Sequence, residues 1–318
     1  MTQPSSPIRA LTAGMADVAR APLLLAGVAL ITLVIALPFA AVLQSRLQAS
    51  LSVQPHVSLN ETEIDPEWWM EFRAHARGLA ASFTPAVLGF AATLDGISNV
   101  LDGRPVPAAI IAPLVLSMVA WAFIWGGALQ RFRAGRGIGF RGFLAAGRAH
   151  VGRFVTIAVV AAAINFVLYL TVHRLLFGPV HALLTGFTGT ERDAFLVRMF
   201  LYLIFFGLIA TVSLGADYAR IATISGRSAS SMDALRTSVA FIASHAGAVA
   251  VLFILTGLIF AAATIGYGTL EVVGGSEVGG WRAVAIGQLY VLVRLALRLT
   301  FAASELRLFT ANQAAAAE

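Results

Sequence analysis

The stretch "APLLLAGVALITLVIALPFAAVL", residues 21–43, contains no charged side chain. The hydrocarbon core of a bilayer is about 30 Å thick and a helix of about 20 apolar residues crosses it, so this stretch is long enough to span. Arg9 and Arg20 precede it, as in a secretory signal peptide, but the apolar run exceeds the roughly 7–15 residues of that signal. We therefore expect residues 21–43 to form a retained first transmembrane helix.

Five later stretches share this length and apolar character: residues 107–129, 154–177, 196–216, 247–270 and 283–303. The composition of the chain agrees, since 58% of its 318 residues are hydrophobic and 12% are charged. Soluble domains are roughly 45–50% apolar and about 25% charged. The sequence therefore predicts an all-α fold: a polytopic membrane bundle of six transmembrane helices with an extracytoplasmic pair of amphipathic helices.

The distribution of arginine predicts the orientation of the bundle. All 22 basic residues are arginine, and two groups of them follow the second and fourth spans. These groups are Arg131, Arg133, Arg136, Arg141, Arg148 and Arg153, then Arg220, Arg227 and Arg236. The segment 271–280, between the last two spans, has acidic residues and no cation. The positive-inside rule then predicts the bacterial cytoplasmic (inner) membrane, with both terminal tails, 1–20 and 304–318, in the cytoplasm.

The net charge of +6 also bears on partners. Because the arginines lie beside apolar spans, they indicate contact with the lipid bilayer and its anionic headgroups rather than with nucleic acid. Cysteine is absent from the sequence, which excludes disulfides, thiolate metal sites and cysteine nucleophiles.

The predicted extracytoplasmic segment, residues 44–106, contains the run "EIDPEWWMEF" at 63–72. Asp65 followed by Pro66 predicts a helix start, because aspartate caps well and proline is tolerated at the first helical position. On that helix one stripe is apolar: Trp68, Trp69, Phe72, Ala76, Leu79 and Phe83. A second amphipathic helix is predicted from Thr84-Pro85, ending at Gly103.

Trp68, Trp69 and Phe72 are interpreted as interfacial anchors. Tryptophan prefers the headgroup layer, where its ring is buried and its indole N–H stays wet. The helix is then expected to lie on the outer leaflet or to cap the bundle. The alternative is a lid that grips a ligand, with Glu67 and Glu71 as contacts.

Two cytoplasmic hairpins resemble each other in sequence. Each leaves the membrane at Gly-Ala, passes through an amphipathic stretch and re-enters at His-X-Gly, at His150 and at His245. In the second hairpin Ser230 and Asp233 form a capping-box pattern, and one stripe is apolar: Met232, Leu235, Val239 and Ile242. Parallel repeats build some transporters, and they also arise from plain duplication. Because both histidines lie at predicted turns near the interface, no haem and no other cofactor is expected.

Charged side chains inside a span are costly and mark candidate sites. Arg294 and Arg298 share a face of the last span, and Asp217 lies at a comparable depth at the end of the fourth. One hypothesis is a structural ion pair of Asp217 with Arg294 and Arg298, with Glu305 as a second possible partner. The other is a pocket for an anion or a lipid headgroup, lined by Arg220, Arg294 and Arg298.

Weaker signals predict packing inside the bundle. Gly207, Thr211 and Gly215 recur every four residues, which predicts close approach of a neighbouring helix or, as the alternative, a dimer interface. Asn165 and His173 are expected to form interhelical hydrogen bonds.

The run Asp217-Tyr218-Ala219-Arg220, with the "ALR" helix that follows, resembles the membrane domain accompanying some glycerophosphodiester phosphodiesterases, over residues 196–308. The catalytic domain of those enzymes has no counterpart here, so the resemblance implies no hydrolase activity and assigns no site residues.

The motif search favours a protein that is not an enzyme. There is no HExxH metal motif, no nucleophile elbow and no lysine to complete a phosphate loop. The predicted function is therefore a scaffold or accessory subunit that binds lipid, a membrane protein partner or a second copy of itself. The alternative is a small-molecule or lipid transporter built from parallel hairpin repeats.

Overall fold

The computed structural model describes residues 6–53, 65–83, 89–104, 108–186, 189–273 and 281–315, and these residues form helices and no strand. The helices are α1 (Pro7–Ala19), α2 (Pro22–Val53), α3 (Pro66–His75), α4 (Gly89–Leu101), α5 (Ala108–Ala134), α6 (Gly139–Leu168), α7 (His181–Thr185), α8 (Glu191–Ile224), α9 (Ser231–Ser244), α10 (Ala246–Val273) and α11 (Trp281–Ala315). A 3₁₀ helix, Gly78–Ser82, follows α3, and π-helical turns connect α6 to α7.

Six helical segments among the described residues are long and apolar enough to cross a membrane: Pro22–Ser52, Ala108–Ala134, Gly139–Thr185, Glu191–Ile224, Ala246–Glu271 and Val284–Gln313. At most 22% of the most apolar window of each is buried inside the protein. Such apolar surface is stable only in lipid. The prediction of an all-α, multi-pass membrane bundle is confirmed.

Several helix ends follow from local side-chain chemistry. The Asp65 carboxylate accepts hydrogen bonds from the backbone of Glu67 and Trp68 at 2.8 and 3.2 Å, with proline next to the cap as predicted. The Ser230 hydroxyl caps α9 in the same way. Gly103 has φ +62°, and the Arg104 N–H bonds back across it to the Asn99 carbonyl, which closes α4.

The main core lies at the end of the bundle that carries Arg131, Arg153, Arg220, Arg227 and Arg307, here called the arginine side. Helices α1, α5, α6, α8, α9, α10 and α11 all contribute buried side chains to it. Its fully buried members include Ala128, Phe154, Tyr218, Ala222, Ala234, Leu299, Ala303 and Phe309. The side chains of this core pack against one another and do not face lipid.

The two predicted tails are packed helices. Helix α1 buries Ala10, Leu11 and Val18, and α11 continues through residues 304–315 with Leu308 and Phe309 fully buried. Arg307 of α11 donates two hydrogen bonds to Asp17 of α1, at 2.8 and 2.9 Å. The described parts of both segments are thus helices that bury one face against protein, and the cytoplasmic location of residues 1–20 and 304–318 stays a prediction.

Close helix contacts also occur at glycines other than the predicted ones. A Cβ atom at Gly14 would lie 2.1 Å from the Ser304 hydroxyl oxygen and 2.7 Å from the Ser304 backbone nitrogen. At Gly127 of α5 a Cβ atom would lie 2.3 Å from the ring of Phe143 in α6. An added Cβ atom at Gly207 or Gly215 would meet no described atom within 4 Å. The Gly215 carbonyl nevertheless accepts a hydrogen bond from the Ser238 hydroxyl of α9 at 2.7 Å, so a neighbouring helix packs at Gly215, whereas no such contact is found at Gly207 within the described ranges.

The two hairpins of the predicted repeat differ in structure. In the second, α9 ends at Ser244, His245 caps it and α10 begins at Ala246, as the re-entry turn predicts. In the first, α6 is continuous from Gly139 to Leu168, so His150 lies inside a helix and not at a turn. The sequence similarity therefore does not correspond to two copies of one structural unit.

Candidate functional site

A charged cavity of about 120 Å³ opens on the arginine side between α5, α8 and α11. Its lining consists of Trp125, Leu129, Asp217, Arg220, Ile221, Arg298, Phe301, Ala302 and Glu305. The volume holds several water molecules or one small polar group. Two carboxylates and two guanidinium groups therefore share one small cavity in a membrane protein, where unpaired charge is costly.

Asp217 forms its ion pair with Arg220, three residues further along the same helix. The sequence hypothesis named Arg294 and Arg298 as the partners. The structure differs because positions i and i+3 adjoin on a helix surface, so the pair forms within α8 without a second helix.

Arg298 is held by aromatic rings. Its guanidinium carbon lies 3.7 Å from the centre of the Trp121 ring and 5.6 Å from that of Trp125. Both tryptophans belong to α5 and lie one turn apart. A guanidinium over an indole face is attracted by the ring quadrupole and keeps its N–H donors for another partner.

Glu305 is the most buried charged residue of the cavity. Its residue exposure is 1%, and its Oε1 atom has no hydrogen-bond partner within the described ranges. An isolated buried carboxylate is costly, so such a group calls for a partner that enters the cavity.

Arg294 lies outside the cavity. It is exposed, with its guanidinium carbon 5.6 Å from the centre of the Tyr290 ring, one helical turn before Arg298. Of the predicted pocket residues, the structure thus brings Arg220 and Arg298 together and leaves Arg294 apart.

The sequence reasoning missed the two tryptophans of the site. Trp121 and Trp125 are four residues apart on α5, a spacing that places two rings on one helix face, and this was the available signal. What could not be read from one helix is that Arg298 of α11 covers that face.

The predicted anchors Trp68, Trp69 and Phe72 lie at the other end of the bundle from the arginine side, here called the opposite side. Trp68 is 1% exposed, and its indole N–H donates to the Ser50 hydroxyl at 3.2 Å. Phe72 is also buried, and Trp69 is partly buried in the same cluster. These rings pack on the end of α2, so their role as headgroup anchors stays a prediction.

The cavity beside these rings, about 540 Å³, is larger than the charged cavity. Its charged lining residues Arg46, Glu71, His75 and Arg77 are all exposed. Arg298 of the charged cavity is exposed as well, but that cavity also contains the buried Glu305, which has no counterpart among the charged residues here. The role of Glu67 and Glu71 as ligand contacts of a lid stays a prediction.

A polar junction holds α4 to the bundle on the opposite side. The Tyr202 hydroxyl donates to the Asp102 carboxylate, and His173 Nε2 donates to the Leu101 carbonyl at 2.9 Å. The interhelical bond predicted for His173 is confirmed, whereas Asn165 Oδ1 is buried without a partner in the part described. The hydrogen bond from Tyr202 is the largest of the effects that lower the pKa of Asp102, and burial opposes it.

The described residues contain no group of three or more His, Asp or Glu side chains that could hold a metal ion. Comparisons of the chain with protein-family models, with curated proteins and with solved structures find no match. The function is therefore argued from the charged cavity itself.

Proposed function

We propose that this multi-pass protein is a non-enzymatic membrane component, a scaffold or accessory subunit, that binds a lipid headgroup in the charged cavity. The observation that carries the proposal is Arg298. Its guanidinium is held over Trp121 and Trp125 but forms no ion pair with a carboxylate of the described residues. A preorganised guanidinium with free donors is suited to a phosphate.

The depth of the cavity supports a headgroup ligand. Arg298 lies about 26 Å along the axis of α11 from Trp281, where the helix begins. If Trp281 marks the far edge of a hydrocarbon core of about 30 Å, the Arg298 backbone lies about 4 Å inside the near edge, where a long side chain can reach the headgroups.

The surface next to the cavity supports the same proposal. Helix α9 packs on the bundle through Ala234 and Phe241, and exposes Met232 and Val239 at 54% and 64%. A helix with one face on protein and an apolar face outward fits the boundary between headgroups and acyl chains. Such a surface also suits a membrane protein partner or a second copy of the chain.

The proposal is tested by lipid retention. The purified protein is incubated with palmitoyl-oleoyl phosphatidylglycerol in detergent micelles, and bound lipid is counted by native mass spectrometry. Loss of charge-assisted hydrogen bonds in Arg298→Ala is expected to weaken retention about tenfold. Arg294→Ala, one turn away and outside the cavity, is the matched control and is expected to bind as the wild type. Equal retention by Arg298→Ala and the wild type would contradict the proposal.

The proposed location is the bacterial inner membrane, with both termini and the arginine side in the cytoplasm. The positive-inside bias supports this orientation. Because the chain has no cysteine, a cysteine introduced at one position is the only thiol of the protein that a maleimide can label. A membrane-impermeant maleimide is expected to label Glu67→Cys in intact cells, and Gly137→Cys only after permeabilisation. The reverse pattern would reject the orientation.

A transporter is the second candidate, and one observation favours it. A groove of about 360 Å³ between α2, the 3₁₀ helix and α5 is lined in part by Trp121, whose ring is in contact with Arg298 of the charged cavity. The stacked pair thus separates two cavities, and the groove-lining helices contain Pro38 and Pro113, where helices bend.

Flux distinguishes the two candidates. Liposomes that contain the protein and an acyl-chain-labelled fluorescent phosphatidylethanolamine are treated with dithionite, which quenches only the outer leaflet. Complete quenching that accelerates in Trp121→Ala would favour the transporter. Quenching that stops at the outer-leaflet fraction would favour the binding protein.

A further inference from the structure

The charged cavity contains two groups without a hydrogen-bonded partner among the described residues, the Arg298 guanidinium and Oε1 of the Glu305 carboxyl group. Asp217 and Arg220 neutralise each other in an ion pair. Arg298 lies over the two tryptophans, and Glu305 is 1% exposed with Oε1 lacking a hydrogen bond to any described residue. A ligand that satisfies both groups brings an anionic group to Arg298 and an N–H donor to Glu305, because a simple anion leaves the buried carboxyl oxygen without a hydrogen bond.

The order of the two charges along α11 restricts the ligand further. Arg298 and Glu305 are seven residues apart, so they lie on one face of the helix, about 10 Å apart along its axis. Arg298 is on the side of the span, and Glu305 is farther toward the end of the helix. In a phospholipid the phosphate likewise lies next to the glycerol, while the amine of a zwitterionic headgroup lies farther from the hydrocarbon.

We propose that the charged cavity selects a phosphoethanolamine headgroup, with the phosphate on Arg298 and the primary ammonium on Glu305. This inference rests on the proposed headgroup-binding function and names its ligand class. A primary ammonium has three N–H donors, which satisfy a carboxylate that has lost its water. A glycerol headgroup has no N–H donor for Glu305.

Choline is disfavoured by the same geometry. A quaternary ammonium has no N–H donor, and proteins usually bind it against the faces of aromatic rings. Here Arg298 lies over the rings of both Trp121 and Trp125. The aromatic faces of the cavity are therefore not free to bind a choline group. Choline also cannot donate a hydrogen bond to Glu305.

The first test uses the unmodified protein and three lipids with the same acyl chains: palmitoyl-oleoyl phosphatidylethanolamine, its N-acetyl derivative and phosphatidylcholine. The N-acetyl lipid keeps the phosphate and loses the ammonium. Native mass spectrometry is expected to show retention of phosphatidylethanolamine about tenfold stronger than of the other two, since charge-assisted hydrogen bonds are lost. Equal retention of all three lipids would overturn the inference.

The second test removes the proposed ammonium acceptor. Glu305→Gln keeps the shape of the side chain and is expected to reduce retention of phosphatidylethanolamine to that of the N-acetyl lipid. Retention of phosphatidylglycerol should not change. Glu191→Gln, at an exposed position on the opposite side, is the matched control. A folded Glu305→Gln variant that keeps the tenfold preference would also overturn the inference, and if this variant does not fold, the first test decides.

Failure of the inference can be told apart from failure of the proposed function. If the three lipids bind equally but Arg298→Ala weakens them all, the cavity is a phosphate site without amine selectivity. If Arg298→Ala changes nothing, the cavity is not a headgroup site at all.

The source of the zwitterion is tested by competition. Soluble glycerophosphoethanolamine carries the same charged groups without acyl chains. If it displaces the lipid at equal concentration, the cavity recognises the headgroup alone. If only the lipid binds, the acyl chains are needed as well, and the site is specific for the membrane form.

Discussion

The arginine side and the opposite side of the bundle are held together in different ways. On the arginine side seven helices share one continuous core, and its largest side chains, among them Phe154 and Phe309, are fully buried. On the opposite side the buried residues form small separate groups: Trp68, Phe72, Ala80 and Phe83 pack on the end of α2, and Phe205 of α8 is buried against the rings of Tyr169 and His173. The difference suggests that folding free energy is concentrated at one end of the spans, while the other end relies on lipid and on a few polar contacts.

The largest expected difference concerns core aromatic residues. Phe309→Ala on the arginine side removes a fully buried ring, and a loss of about 3–5 kcal/mol of unfolding free energy is expected. Phe72→Ala, at 6% exposure on the opposite side, is expected to leave global unfolding nearly unchanged and to accelerate hydrogen exchange in residues 65–83. Unfolding in detergent and exchange mass spectrometry measure the two effects. Equal global losses would show that the two ends fold as one unit.

A smaller effect is expected at the contact between α1 and α11. Gly14→Ala would force a Cβ atom to 2.7 Å from the Ser304 backbone nitrogen, so α1 must shift, at a cost of about 1–3 kcal/mol. Gly207→Ala, whose added Cβ atom would meet no described atom within 4 Å, is the control and should stabilise its helix by up to about 1 kcal/mol. The midpoints of thermal unfolding compare the two, and a stable Gly14→Ala variant would argue against the packing of α1.

Ion pairs should follow the same contrast. The Asp17–Arg307 pair joins two helices through two hydrogen bonds, with Asp17 only 10% exposed, so a coupling energy of about 1–2 kcal/mol is expected. The Asp95–Arg104 pair, at 4.0 Å and with side chains 30% and 57% exposed, should couple by less than about 0.5 kcal/mol. Double-mutant cycles in which each aspartate is replaced by Asn and each arginine by Gln measure the two coupling energies. A stronger coupling for Asp95–Arg104 would reverse the comparison.

The smallest expected effect depends on pH. The hydrogen bond from Tyr202, helped by Ser98, Arg104 and Arg198, lowers the pKa of Asp102 in the folded protein. A lowered folded pKa stabilises the protein above the ordinary aspartate value of 3.8, and the contribution disappears as the pH falls through the folded value. Asp102→Asn should therefore cost less than about 1 kcal/mol at pH 7 and nothing in strong acid. A cost that grows on acidification would contradict this assignment.

The spans could be predicted from the sequence because long apolar runs have few other uses. The core of the arginine side could not, since its buried residues include Ser304 and Asn312, which are polar in any hydropathy scale. Their side chains bond to the carbonyls of Thr300 and Leu308, four residues earlier, at 2.7 and 2.9 Å. Once these donors are satisfied within the helix, burial costs little, and a segment that resembles a tail becomes a core.

The site was predicted in part for a similar reason. Charge inside a span indicated Asp217, Arg220 and Arg298, because membrane helices rarely carry charge without a use. The same rule also selected Arg294, whose long side chain reaches the surface beside Tyr290. Both arginines are exposed, and what distinguishes Arg298 is that it lines the charged cavity and lies over Trp121 of α5. Because this depends on the neighbouring helix, only the tertiary structure separates the two.

The contact of Asp17 with Arg307 also bears on how the protein is made. The two residues are 290 positions apart, and at roughly 5–20 residues per second a ribosome needs about 15–60 seconds between them. During that interval Ala10, Leu11 and Val18 of α1 have no α11 to pack against. The bilayer surface offers the nearest apolar cover, so α1 is expected to wait there and to exchange lipid for protein only when the last helix arrives.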